Sequence, residues 1–346
     1  MKRSMRFGAA TVFLLLLACA AAMDGMISPP PTASLAPPPP LATGPGPVEV
    51  SGHPDPLPLV EDEDPAYAAN KRLVFDMWRS IVNAGQVELA DEMLREEYIQ
   101  HSPILPTGRA AFKQIFSVVK RTEIPELVSP PLVTIIAEGD LVVMALRESV
   151  PEPGSDGYYT TTHFNLFRIE DGRLAEHWHS VQDAPRPDLP SAAEGGPQPV
   201  TGVSGTAQLA LLQAANPVLA ANKRLVFDAW RQTIDAGREE VADLYLDEDY
   251  IEHDPNIDTG REAFRTRIAA RSGSPVPGSM QAPLVAVLAQ GDLVVVVSAR
   301  EHPHPRRAGE TYTTTWFDMF RIEGNRLVEH WNGATKPGGS PGPYGN

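Results

Sequence analysis

The stretch NKRLVFDMWR at residues 70–79 returns at residues 222–231 as NKRLVFDAWR, with nine of ten residues identical. The offset of 152 also carries YIQHSPILPTGR (98–109) onto YIEHDPNIDTGR (250–261), and EGDLVV (138–143) onto QGDLVV (290–295). One inserted loop residue raises the offset to 153, and YTTTHFNLFRIEDGRLAEHW (159–178) then meets YTTTWFDMFRIEGNRLVEHW (312–331). A duplication accounts for four motifs kept in the same order. Two copies are too few for a solenoid, so each is expected to be a self-sufficient domain.

Within one copy the pattern runs from helices to strands. Leu73, Val74, Met77, Trp78, Ile81 and Val82 fall on one helical face. Leu89, Ala90, Met93 and Leu94 suggest a shorter second helix, and Ala111, Phe112, Ile115, Phe116 and Val119 a third. The remainder reads as strand: LVTIIA and LVVMALRE flank the turn Glu138-Gly139-Asp140, while YYTTTHFNLFRIE and RLAEHWHSVQ flank Asp171-Gly172, a strong hairpin signal. Gly324-Asn325 turns the same corner in copy two. The expected fold class is α+β, with three N-terminal helices packed on a curved antiparallel sheet and a cone-shaped pocket between them.

The chain's 346 residues give room for two ordinary domains, and its hydrophobic content of 42% suits globular material. A net charge of −15, with no basic cluster in the sequence, argues against a nucleic-acid partner, because phosphate contacts need a basic face. Lys2, Arg3 and Arg6 followed by VFLLLLA (12–18) read as an export signal whose apolar core is too short to span a bilayer. Leu16-Leu17-Ala18-Cys19 resembles the lipobox of bacterial lipoproteins, in which Cys19 would be lipidated and become the mature N-terminus; a plain secretory cut after residues 20–22 is the alternative. Ala20 and Ala21 lack the Asp that commonly retains such proteins in the inner membrane, so the expectation is a cell-envelope lipoprotein, periplasmic or surface-exposed, at the outer membrane. Cys19 is the only cysteine, so no disulfide forms within the chain.

These signals divide the chain into a signal peptide (1–18), a Pro-rich tether (19–65), a first domain (66–184), a linker (185–216), a second domain (217–336) and a flexible tail (337–346). The copies are expected to pair through their sheets as an intramolecular pseudo-dimer.

Taken together, NKRLVFDMW, YIQHSP…GR, AEGDLVV and NLFRIEDGRLAEHW resemble the SnoaL-like group of the NTF2-like superfamily, over residues 66–183 and again over 217–335. The resemblance implies two cone-shaped barrels. It also implies, for the group's polyketide cyclases, an aldol condensation without cofactor or metal, run by an acidic residue and a histidine in the pocket. The match is incomplete. Where the family commonly reads Glu-His-Trp-Asp, the last residue is His179 in copy one and Asn332 in copy two. The Asp before Phe-Arg is kept as Asp318 but becomes Asn165, and Ala145 and Val297 stand where many members have a histidine.

An amide or alkyl group cannot serve as a general base near neutral pH. Copy two therefore keeps the better set, Asp318 with His253 or His330, as candidate catalytic residues. His101, His163, Asn165, His177, His179, Trp316 and Asn332 are candidate ligand contacts. Structural alternatives stand beside these: His101 and His253 fixing a loop, Trp178 and Trp331 packing, and Glu176 and Glu329 pairing with Arg168 and Arg321 across the hairpin. A zinc site at His177 and His179 is disfavoured because Asn332 replaces one ligand in copy two. The register of the 169–174 hairpin decides whether Asn165 faces a histidine, and sequence leaves it open. The leading expectation is a tethered protein that binds a small, partly apolar molecule; an aldol-cyclase or isomerase and an interaction module with vestigial pockets are the alternatives.

Overall fold

The computed structural model describes residues 46–338 apart from residue 272. The signal peptide, Cys19 and residues 339–346 lie outside the described residues. Among the described residues no helix is long and apolar enough to cross a membrane.

Each copy opens on a helix whose first turn is capped by sequence. α1 (Pro65–Met77) has Pro65 in its first turn, and the Asp64 side chain accepts the Ala66 amide at 2.8 Å. α4 (Pro217–Trp230) repeats this with Asn216 and the Val218 amide at 2.9 Å. Short helices α2 (Ala90–Met93) and α3 (Arg109–Phe116) complete copy one, as α5 (Ala242–Tyr245) and α6 (Arg261–Ala269) complete copy two.

Four strands of copy one, β2 (Leu132–Glu138), β3 (Leu141–Pro151), β4 (Tyr158–Glu170) and β5 (Arg173–His179), are antiparallel neighbours as expected. A fifth, β1 (Leu94–Gln100), pairs in parallel with β5, giving the order β1-β5-β4-β3-β2. Its run LREEYIQ has three charged residues and little alternation, so the pattern that reveals strands is weak there. Copy two repeats the arrangement with β6 (Leu246–Glu252), β7 (Leu284–Gln290), β8 (Leu293–Pro303), β9 (Thr311–Glu323) and β10 (Arg326–Asn332).

The two faces of each sheet bury different things. One face packs against its helices: Val74, Phe75, Met77 and Ile81 meet Met144, Leu146, Phe167 and Ile169. The other face meets the opposite copy. Val143, Phe164, Leu166 and Trp178 share one buried cluster with Val295, Phe317, Met319 and Trp331, and the rings of Phe164 and Phe317 stack at 5.4 Å. This explains strands that are apolar on both sides, as in β4 and β9.

The expected tether and linker are anchored at a few points. Val50 and Val60 are buried within the tether expected over 19–65, and Val200, Gln208 and Leu212 within the linker expected over 185–216, while much of the rest is exposed among the described residues. PVEVSG (47–52) and PQPVTG (197–202) prove to be counterpart straps. The first hydrogen-bonds to copy two through the Val48 amide and the Glu252 carbonyl, 2.9 Å, and then to its own sheet through His53 and Leu132. The second bonds to copy one through Gln198 and Gln100, 2.8 Å, and then to its own sheet through Val203 and Leu284. Val50 and Val200 are buried between the sheets. Proline and glycine here mark extended crossings with few amides to satisfy, not slack chain.

Candidate functional site

In both copies the hairpin between the last two strands decides which polar residues meet. Asp171 and Gly172 have φ of 52° and 69°, the two left-handed residues of a tight two-residue turn, and Ile169 faces Leu174 across it. An unbroken ladder would then place Asn165 opposite Trp178. Instead the register shifts by one residue just after the turn, so Asn165 lies opposite His179 and Phe167 opposite His177. The shift recurs in copy two, where Asp318 faces Asn332 and Phe320 faces His330. In each copy the bulge sets the candidates of the last two strands, Asn165, His177 and His179 or Asp318, His330 and Asn332, on the helix-facing side.

In copy two these residues line a cavity of about 160 Å³ between sheet and helices. Its apolar wall includes Val226, Trp230, Phe264 and Leu327. At its polar end His330 sits between two carboxylates, with Nδ1 2.8 Å from Glu252 Oε1 and Nε2 3.2 Å from Asp318 Oδ1. Burial by itself would lower its pKa, but the charges and hydrogen bonds of Glu252 and Asp318 prevail and raise it to about 10. His330 is therefore a cation and a hydrogen-bond donor at neutral pH. Trp316 Nε1 also donates to Asp318 Oδ1 at 3.2 Å, and Asn332 Nδ2 donates to Asp254 at 2.9 Å.

Copy one has the same scaffold with different chemistry. His177 meets Gln100 at 3.1 Å and Asn165 at 3.0 Å, and His179 meets the Ser102 hydroxyl. His163 stands edge-on to His179, ring centres 5.7 Å apart. Among the described residues, neither His177 nor His179 has a carboxylate partner. Burial pushes His163 down to about 4; burial, with repulsion from His163 and His101, pushes His177 down to about 3. Glu148 is buried, has its Oε2 3.7 Å from His163 Nδ1, and is pushed up to about 7 by desolvation. Among the described residues no group of three or more His, Cys, Asp or Glu is disposed to hold a metal ion.

His101 and His253 do not belong to either polar end, which corrects their candidacy as pocket residues. His253 stacks on Trp331 at 5.0 Å, with Nε2 2.8 Å from Glu329 and Nδ1 2.9 Å from the Val48 carbonyl of the strap. His101 stacks on Trp178 at 4.5 Å and meets Glu176 and the Pro199 carbonyl. The reason is alternation: Glu252 and Asp254 point into the cavity, so the residue between them points away. The same Glu329 and Glu176 pair with Arg321 and Arg168 across the hairpins, at 2.7 Å and 2.6 Å.

Glu252, Asp254 and Arg300 are cavity residues that single-copy reasoning does not flag. Setting the copies side by side does: Gln100, Ser102 and Asn165 face Glu252, Asp254 and Asp318, and Glu148 faces Arg300. Three carboxylates and a charge sign change together, which marks one environment.

Residues 72–185 match the family model of the SnoaL-like polyketide cyclases, and residues 227–330 match that of the SnoaL-like domain. Solved structures similar to the chain include TsrD from Streptomyces laurentii, at 19% identity over 34% of this chain and 90% of that one, with a TM-score of 0.22. A protein of unknown function with a cystatin-like fold from Xanthomonas campestris is 18% identical over 32% and 88%, with a TM-score of 0.25. An NTF2-like protein of unknown function from Burkholderia pseudomallei is 16% identical over 32% and 88%, with a TM-score of 0.22. No curated protein matches the chain.

Proposed function

We propose that this chain, two SnoaL-like domains in tandem, binds a small, partly apolar molecule in the cavity of its second domain. The observation that carries the reading is the polar end of that cavity, where Glu252, His330 and Asp318 form a fixed carboxylate–imidazolium–carboxylate row above an apolar wall. A volume of about 160 Å³ suits a molecule near the size of benzene, which occupies an engineered protein cavity of about 150 Å³. It is below the roughly 300–1,000 Å³ usual for drug-sized ligands, so a multi-ring polyketide would need the helices to open. The first domain, with neutral imidazoles in place of the row, serves chiefly as the partner that covers the second domain's sheet.

The reading is tested by thermal shift of the full chain against small aromatic carbonyl compounds, with Ala229→Leu to narrow the cavity. Stabilisation of the wild type that the variant abolishes supports it. A wild type that responds to no compound rejects it.

The aldol-cyclase or isomerase alternative rests on the contact between Asp318 and His330. Asp318 would take the proton and the His330 cation would donate to the enolate oxygen, with His253 excluded by its bond to Glu329. Asp318→Asn separates the two readings: a binder keeps its ligand with moderately changed affinity, whereas an enzyme loses turnover at unchanged melting temperature.

We also propose export and lipid anchoring through Cys19, at the outer membrane. Residues 1–18 have the charge and apolar pattern of a signal, and a lone cysteine follows Leu16-Leu17-Ala18. Cys19→Ser should release the protein from the membrane fraction or leave the precursor uncleaved; unchanged mass and fractionation would reject the anchor.

A further inference from the structure

Arg300, on β8, lies with its guanidinium carbon 3.5 Å from the centre of the Trp316 ring, on the wall of the second domain's cavity. Its carboxylate neighbours are already committed: Asp318 to His330 and Trp316, Glu252 to His330, Asp254 to Asn332 and its own turn. Among the described residues, Arg300 makes no side-chain hydrogen bond and no ion pair. Arg267, on α6, lines the same cavity in the same state. A partly buried guanidinium whose carbon sits over an indole ring, with its N–H groups not engaged by any protein acceptor among the described residues, is suited to receive a planar oxyanion.

The charges of the lining agree. Glu252, Asp254 and Asp318 stand against Arg267, Arg271, Arg300 and the His330 imidazolium, so the wall has one positive charge in excess. The first domain has no such site. Glu148 occupies the position of Arg300, His163 that of Trp316, and Ile115 that of Arg267; the strand ladders match Glu148 to Thr161 and Arg300 to Thr314 in the same way.

We propose that the ligand of the second domain is a small carboxylic acid, bound as its anion, with the carboxylate on Arg300 and a ring or branched alkyl group against Val226, Trp230 and Phe264. This rests on the reading of that cavity as a binding site and adds the chemical class of what it binds. The Trp316 face holds the guanidinium in place, Arg267 closes the charge from the helix side, and the row of His330 and Asp318 offers a donor and an acceptor for a second polar group.

The test is calorimetric titration of the full chain at neutral pH with benzoate and with benzamide, an uncharged compound of the same shape, in wild type and in Arg300→Gln. The inference expects benzoate to bind at least tenfold more tightly than benzamide to the wild type. Arg300→Gln should remove that preference, bringing benzoate and benzamide to within about threefold of each other. Equal binding of the two compounds overturns the carboxylate class while leaving a binding cavity in place. Preference that survives in Arg300→Gln overturns the role of Arg300. Binding of neither compound rejects the cavity as a site of this size and the inference with it. Because the comparison of the two compounds is made in the wild type, it stands even if Arg300→Gln fails to fold.

Discussion

The Lys223 ammonium of the second domain is neutralised by Glu138 of the first, Nζ to Oε1 2.6 Å, with the lysine side chain only 3% exposed. The other Glu138 oxygen accepts the Ala289 amide at 2.7 Å, so one carboxylate bridges two elements of the opposite copy. The counterpart lysine, Lys71, uses Asp62 of its own copy at 2.9 Å. Ala214 takes the place of Asp62 in copy two, and Gln290 takes that of Glu138. Gln290 still crosses over, accepting the Ala137 amide at 2.9 Å and donating to Asp62. The two copies are thus complementary and not interchangeable.

Glu138→Gln should destabilise the full chain by about 2–4 kcal/mol, because it leaves a buried ammonium without a counter-charge. Adding Lys223→Met should recover most of that loss, since an apolar side chain there needs no partner. Urea unfolding of the two single variants and the double variant measures the coupling. Strictly additive losses would show that Glu138 and Lys223 do not stabilise the chain through each other.

The pseudo-dimer, which we propose as the solution state, makes a demand on the isolated first copy. A fragment of residues 46–183 uncovers Val143, Phe164, Leu166 and Trp178, which the full chain buries against the second copy. It should self-associate, while the full chain runs as a monomer in analytical ultracentrifugation. A monomeric, cooperatively folded fragment would count against the proposal.

The straps depend on two glycines. A Cβ on Gly52 would stand 2.6 Å from Pro131 Cβ, and one on Gly202 would stand 2.9 Å from the Leu284 backbone. Neither neighbour is the end of a flexible side chain. Gly52→Ala and Gly202→Ala should each cost about 1–3 kcal/mol, whereas Gly46→Ala, with nothing within 4 Å, should cost little. Equal melting temperatures for all three would remove the straps from the packed core.

The pH dependence should have two limbs from two domains. Below about pH 6.5 an unfolded chain protonates His163, His177 and His179. The folded chain does not, because burial holds them near 4, near 3 and well below the ordinary value. Stability is therefore lost as the pH falls. Glu148, raised to about 7 by burial, works in the opposite sense between about 4.5 and 7, but it is one group against three. The steepest acid slope should be roughly 2–3 kcal/mol per pH unit, and His179→Asn should make it shallower.

His330 sets the alkaline limb. Its folded pKa is raised to about 10 by Glu252 and Asp318 against the opposing effect of burial, so its contribution is complete below about pH 6.5 and is lost as the pH rises toward 10. The expected slope is at most about 1.4 kcal/mol per pH unit, and His330→Gln should flatten it. An alkaline limb unchanged in His330→Gln would show that His330 is not held as a cation.

How much of the site could be read beforehand follows from what each feature depends on. The two-residue turn at Asp171-Gly172 is local chemistry, and its Ile169–Leu174 pairing follows from it. The bulge that comes next is not local. β5 must pair with β4 on one side and with the parallel strand β1 on the other, and the register shifts on both sides, between Leu94 and Ile99 and between Arg168 and Ile169. That extra residue brings Asn165 to His177 and Asp318 to His330. The candidates Asp318 and His330 were legible from the family pattern, while Arg300 was not, because one arginine in a strand has no signature until its neighbours are known.

Repetition, helix spacing and turn residues were enough to determine two α+β domains, their order along the chain and most of the residues near the polar ends, because those signals act over a few residues or over whole identical stretches. Tertiary structure alone decided which face each side chain took, why the proline-rich segments are straps, and which copy carries charge. Those outcomes depend on contacts between residues about 75 to 205 positions apart, such as His330 with Glu252 and His253 with Val48. Burial then sets the protonation states: the same imidazole is held neutral beside Gln100 and Asn165 and charged beside Glu252 and Asp318.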